Sequence, residues 1–173
     1  MSALAVAAVV RPSKVIGVAD MKVSSVPGEV LITYALGSCL GITVHDAVAN
    51  VGGLLHVMLP DSQIDAAKAQ ANPYMFVDTG VPRLFKACYE LGAQKSRMVV
   101  KVCGGAHQGA DESADRFQIG KRNAVQLKQL LWKNGVMIKA QDVGGIQLSR
   151  TVSLEIGSGD VVVKLNGGDR RTL

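Results

Sequence analysis

Cys39 and His56 are the two side chains of this sequence best placed to do chemistry together. They flank and occupy two apolar, β-branched runs, residues 40–45 and 51–59, joined by a short turn that Asp46 and Asn50 suit. A turn centred between Ala47 and Val48 sets Cys39 directly across from His56 in an antiparallel pair, on one face, with Cβ atoms roughly 4.5–5.5 Å apart. A slip of one residue would send them to opposite faces. A thiol beside an imidazole is a nucleophile beside a base. A free cysteine of pKa ~8.5 is only a few per cent thiolate at neutral pH, and a neighbouring histidine raises that fraction. Cys39 is therefore expected to alkylate at lower pH than a free thiol. Gly37 and Ser38, just before it, offer backbone N–H groups to a substrate carbonyl as an oxyanion hole. The bland alternative is a buried, inert cysteine and a structural histidine.

The elements around this pair follow from periodicity and punctuation. Residues 14–23 read as a first strand and 30–36 as a second, with Thr33 on it and a Pro27-Gly28 turn between. His45 lies near the hairpin turn, where exposure and no role are expected. Pro60 ends the pairing, since it has no N–H to donate. Residues 62–71 read as a short helix capped by Asp61 or Ser62 and followed by Pro73. A second helix over 78–91 puts Val81, Leu84, Phe85, Cys88 and Leu91 on one buried face and stops at Gly92. A strand over 97–103 runs into Gly104-Gly105-Ala106. Residues 111–118 are polar loop. A third helix over 119–134 buries Ala124, Leu127, Leu130 and Leu131, with Asn123 in its first turn where the side chain can hold a neighbouring loop. A strand over 136–143 and a hairpin over 147–156 and 161–165 complete the order. Strands and helices mix without βαβ alternation, which predicts an α+β fold: a mostly antiparallel sheet or sandwich core flanked by helices. Residues 1–13 read as an extension, 14–165 as a single domain and 166–173 as a frayed tail.

Composition narrows the function classes. A chain of 173 residues fits one domain large enough to bury its own core. Three cysteines in no framework spacing argue for a reduced cytoplasmic protein. At 4% aromatic residues a base-stacking nucleic-acid surface is disfavoured. The apolar start, residues 1–10, is too short for a membrane span of ~20 residues and lacks a signal-peptide pattern. The net charge of +5 is scattered apart from Lys121-Arg122 and Arg170-Arg171, and it suits a solvated surface or an acidic partner. A zinc site from Cys39, His56, Cys103 and His107 lacks a close Cys-x-x-Cys pair and is disfavoured.

Two blocks carry a resemblance. Leu36-Gly37-Ser38-Cys39-Leu40, with Thr33 six positions before the cysteine, and Gly53-Leu54-Leu55-His56-Val57-Met58-Leu59-Pro60 resemble the chemoreceptor glutamine deamidase family, CheD. Lys101-Val102-Cys103-Gly104-Gly105-Ala106, Ile119-Gly120-Lys121-Arg122-Asn123 and Asp142-Val143-Gly144-Gly145 match in order and spacing. The resemblance implies that Cys39 is the nucleophile, His56 the base and Thr33 the residue that orients the histidine. It places Gly104 and Gly105 on the substrate cleft. It implies a β-sandwich flanked by helices, shared with a wider group of cysteine hydrolases and deamidating toxins. It further implies hydrolysis of glutamine side-chain amides, or glutamyl methyl esters, on the cytoplasmic helices of methyl-accepting chemotaxis receptors. A CheC-type phosphatase is the implied regulatory partner, and no metal or other cofactor is expected. The chain departs from the family at Cys103 and His107, where an aromatic and an apolar residue are commoner, and at Leu148-Ser149-Arg150, where a Gly-Arg step is usual. The competing reading is a non-catalytic adaptor that binds receptors or the phosphatase.

Overall fold

The computed structural model describes residues 11–111 and 113–173. Residues 1–10, most of the N-terminal extension, lie outside the described residues. Among those described, ten strands make two stacked five-stranded sheets. The first orders β1 (Ser13–Ile16), β3 (Val30–Leu36), β8 (Arg150–Glu155), β9 (Val161–Leu165) and β10 (Arg170–Thr172). The second orders β2 (Asp20–Ser24), β5 (Val51–Val57), β4 (Leu40–Asp46), β6 (Val99–Gly104) and β7 (Ile138–Val143). Pairing is antiparallel except for β1 with β3 and β6 with β7. The helices are α1 (Ala66–Ala71), α2 (Val77–Glu90) and α3 (Ile119–Lys133). The fold is α+β, a sandwich with helices outside. No helix among the described residues is long and apolar enough to cross a membrane.

β4 and β5 are buried along their whole length because they sit in the middle layer. One set of alternating residues, Leu40, Ile42, Val44, Leu55 and Val57, packs under Val81, Leu84 and Phe85 of α2 and Leu127 and Leu131 of α3. The other parity points into the sandwich, where Leu54 meets Leu31, Leu36, Val152 and Leu154 of the first sheet. Two covered faces explain why these strands read as continuous apolar runs rather than alternating ones. Thr33 and His56 belong to the sandwich-facing parity, one from each sheet.

The structure corrects several expectations. Residues 14–23 are two strands in different sheets. The chain turns at Gly17-Val18-Ala19, with Ala19 at φ 53°, so that β1 joins Thr33's strand and β2 joins His56's. Residues 62–71 are a 3-10 turn, Ser62–Ile64, capped by Asp61, and then α1, whose own cap is Asp65. Leu91 is 42% exposed because the helix ends at Glu90, before the periodic face reaches it. His45 is only 6% exposed, and its Nε2–H donates to the Ile156 carbonyl at 2.7 Å. Residues 166–173 are no frayed tail: β10 pairs with β9, and the Leu173 N–H donates to the Val161 carbonyl at 2.9 Å.

Candidate active site

Cys39 and His56 share a face but are not directly opposite. Leu40 pairs with Val57 and Gly41 with His56, so the turn is centred one residue later than the sequence suggests, between Val48 and Ala49. Moving the centre by one residue shifts the pairing by two, which keeps parity. Cys39 sits just before β4, one diagonal step from His56, and is half-buried at the rim of the sandwich. The residue directly across from His56 is a glycine, so no β4 side chain stands between.

Thr33 defines the state of the histidine. Its Oγ1 lies 2.8 Å from the Ile16 carbonyl oxygen and 2.8 Å from His56 Nδ1. A carbonyl accepts only, so the single hydroxyl hydrogen is spent on Ile16. Oγ1 must then accept from His56, which places the ring proton on Nδ1. Nε2 is left as a bare lone pair, buried and with no hydrogen-bond partner among the described residues. The same hydrogen-bond chain joins β1, β3 and β5, and so both sheets. Burial alone pushes the His56 pKa down to about 4, so the ring is neutral at pH 7. Burial also raises the Cys39 pKa. Both shifts favour the neutral forms, a thiol and an imidazole, and run against the expectation of a thiol with a lowered pKa. In these states the imidazole can serve as a base rather than as a standing counter-ion.

The loop of residues 37–39 is fastened peptide by peptide. A bulge in the pairing of β3 with β8 lies between Thr33 and Leu36, and Ala35 within it adopts φ 57°. Bulges of this kind re-aim a chain next to active sites. The Gly37 N–H then donates to Ala35 O, and the Gly105 N–H to Cys39 O at 2.8 Å. Neither N–H is available to a substrate, which removes Gly37 and Gly105 as oxyanion donors. The Ala106 N–H donates to Gly37 O. Gly104, at φ 112°, backs directly onto the loop: a side-chain carbon there would stand 2.1 Å from Cys39 O. The N–H groups of Ser38 and Cys39 have no hydrogen-bond partner among the described residues. That of Cys39 lies beside its own sulfur, where it favours the thiolate. These two N–H groups can serve as oxyanion donors.

Asn123, fully buried on α3, donates from Nδ2 to Ser38 O at 3.1 Å and to Met58 O at 3.0 Å. The expectation that it holds a neighbouring loop is met, and the loop is the one that carries Cys39. Lys121 and Arg122 beside it line an open cavity of about 320 Å³ with Pro60, Asp61 and Gln118. Two participants carried no sequence signal. The Ile16 carbonyl is a backbone group, and the Gln108 side chain, on an exposed loop, lies so close to Gly37 that a side-chain carbon there would meet its Nε2 at 3.0 Å. Cys88 and Cys103 are packing residues, with thiol pKa values pushed up to about 12 by burial. The zinc arrangement is not assembled: among the described residues no group of three or more His, Cys, Asp or Glu side chains is placed to hold a metal ion. What is assembled can accept a thiol proton at Nε2 and stabilise a negative oxygen at two backbone N–H groups.

Comparison with known proteins places the chain in a family. A family model described as CheD chemotactic sensory transduction matches residues 58–165. A probable chemoreceptor glutamine deamidase CheD 1 of Syntrophus aciditrophicus is 48% identical over 92% of this chain and 98% of its own length. A probable chemoreceptor glutamine deamidase of Solibacter usitatus is 47% identical over 88% of this chain and 89% of its own. One from Thermococcus kodakarensis is 39% identical over 84% and 88%. Among solved structures, a Neisseria meningitidis protein of the DUF152 family model aligns with a TM-score of 0.45 at 9% identity, covering 78% of this chain and 63% of that one.

Proposed function

The chain belongs to the CheD family, and from that premise we propose that it is a protein-glutamine deamidase acting on the cytoplasmic helices of methyl-accepting chemotaxis receptors. The observation that carries this reading is the proton inventory at Thr33. It leaves His56 Nε2 unprotonated on the face shared with Cys39, as a general base requires. In the reaction, His56 Nε2 takes the Cys39 proton as sulfur attacks the glutamine amide carbon. The carbonyl electrons move to oxygen, which the Ser38 and Cys39 N–H groups hold. The imidazolium then gives its proton to nitrogen, ammonia leaves, and a thioester to Cys39 remains. Water attacks the thioester with Nε2 again as base, and glutamate and free thiol result. A histidine whose pKa is held low is a correspondingly strong acid once protonated, which suits expulsion of ammonia. The same steps accept a glutamyl methyl ester with methanol as leaving group.

The basic pair Lys121-Arg122, exposed on the helix that grips the nucleophile loop, fits an acidic receptor helix. A CheC-type phosphatase as regulator and a cytoplasmic location are carried over from the family. Mass spectrometry of a receptor cytoplasmic fragment, incubated with the protein and separately with Cys39→Ala, tests the proposal. Glutamine-to-glutamate conversion at defined sites, present only with the cysteine, is the expected result. Binding of the fragment by both proteins with no conversion by either would replace the enzyme with an adaptor.

A further inference from the structure

The nucleophile loop contains three consecutive peptide groups whose carbonyls belong to Gly37, Ser38 and Cys39. The outer two are held by backbone donors, the N–H groups of Ala106 and Gly105. The middle one is held by a side chain, Asn123 Nδ2. Both partners of that nitrogen, Ser38 O and Met58 O, are carbonyls, so the NH₂ end of the amide must face them. In a trans peptide the C=O of one residue and the N–H of the next point in opposite directions. Pulling the Ser38 carbonyl toward α3 therefore turns the Cys39 N–H away from α3. The second hydrogen bond reaches Met58, just past the end of β5 and two residues beyond His56.

We propose that Asn123 is the positioning residue of the oxyanion hole, aiming the Cys39 N–H through the Ser38–Cys39 peptide and tying that peptide to the strand that carries the base. The inference rests on Cys39 being the nucleophile of the deamidase reading, but it does not depend on the receptor as substrate. Its signature is selective. Acyl transfer from an ester passes through a tetrahedral oxyanion; alkylation of the same sulfur by iodoacetamide is a direct displacement and does not.

The test measures both at Cys39, with p-nitrophenyl acetate and iodoacetamide as probes and Cys39→Ala as the blank. In acylation the S–C bond forms, the proton passes to His56 and p-nitrophenolate leaves. Asn123→Ala is expected to slow Cys39-dependent p-nitrophenolate release on the order of 10²-fold while alkylation changes by less than about threefold. Asn123→Asp keeps the size of the side chain but has no N–H to donate, and it should repeat the split if the alanine variant unfolds. Equal losses in both reactions, or no loss in either, would overturn the proposal. A wild-type protein that is acylated at Cys39 yet leaves receptor glutamines unchanged would overturn the receptor assignment alone. A wild-type Cys39 that cannot be acylated would overturn both.

Discussion

At the scale of single residues, the hydrogen bonds of Thr33 fix where one proton sits. Thr33 has one hydrogen and gives it to the Ile16 carbonyl, so it can only accept from His56. Thr33→Val keeps the shape and removes that acceptor. The ring is then free to carry its proton on Nε2, where it cannot serve as a base. We expect kcat to fall ~10²-fold with KM little changed, and a nitrogen NMR spectrum to show the Nε2–H tautomer; Thr33→Ser should restore both. A neutral orienter also leaves the His56 pKa low, since no charge offsets the burial. Catalysis should therefore persist on the acid side until pH approaches about 4, rather than fading near 6.5 as for an unperturbed histidine. Iodoacetamide modification of Cys39 should instead need a pH above the ~8.5 of a free thiol, because burial raises its pKa. An acid limb near 6.5 together with alkylation at neutral pH would mean a standing thiolate–imidazolium pair and would reject this account. The depressed pKa also sets a stability window. The unfolded chain binds the His56 proton more tightly, so stability is full above about 6.5 and declines as pH falls toward 4.

At the scale of elements, the site is a meeting of strand ends. The nucleophile loop hangs between β3 and β4, and the glycine loop after β6 closes on it through the Gly105 and Ala106 N–H groups. Gly104 is the contact that no other residue can make. An alanine there would need a positive φ and would drive its Cβ into Cys39 O, so Gly104→Ala must push the loop away. We expect activity to be lost and melting to shift downward; a variant with unchanged kcat would show that the two loops need not touch. The sequence made part of this element-level arrangement legible. Cys39 and His56 share a face because parity survives a two-residue register shift, even though the turn centre read from Asp46 and Asn50 was one residue early. α2 and α3 were readable because Val81, Leu84, Phe85, Cys88, Leu127 and Leu131 recur at helical spacing under a common sheet. The break between β1 and β2 and the bulge in β3 are hidden, because Ala19 at φ 53° and Ala35 at φ 57° respectively carry no signal in their residue type. The third member of the Thr33–His56 chain was hidden for a different reason: it is the carbonyl of Ile16, and a main-chain acceptor has no letter of its own.

At the scale of the whole molecule, the two sheets must be held in register for a threonine on one to orient a histidine on the other. At the open edge of the sandwich a buried ion pair does this. Arg150, at the start of β8 in the first sheet, donates to Asp142 of β7 in the second at 2.9 Å, and Arg171 of β10 reaches the same carboxylate at 3.1 Å. Arg150 also donates to Gly144 O, and the Gly144 N–H donates to Gly104 O, so the clamp connects to the glycine loop behind Cys39. Removing Arg150 leaves the buried Asp142 carboxylate to the half-exposed Arg171, a loss of up to about 3–5 kcal/mol. For a chain of this length that corresponds to a drop in Tm of roughly 6–20 °C, which Arg150→Met should show in thermal melts. Replacing both partners by apolar side chains of similar size is often close to neutral, so Arg150→Met with Asp142→Leu should regain most of the lost stability. Activity should not follow. The double variant restores packing across the sheets but supplies no donor to Gly144 O, and the glycine loop loses the support that reaches it through Gly104. A stable double variant with reduced kcat would assign the clamp a part in shaping the site; recovery of kcat along with Tm would confine it to holding the sheets together.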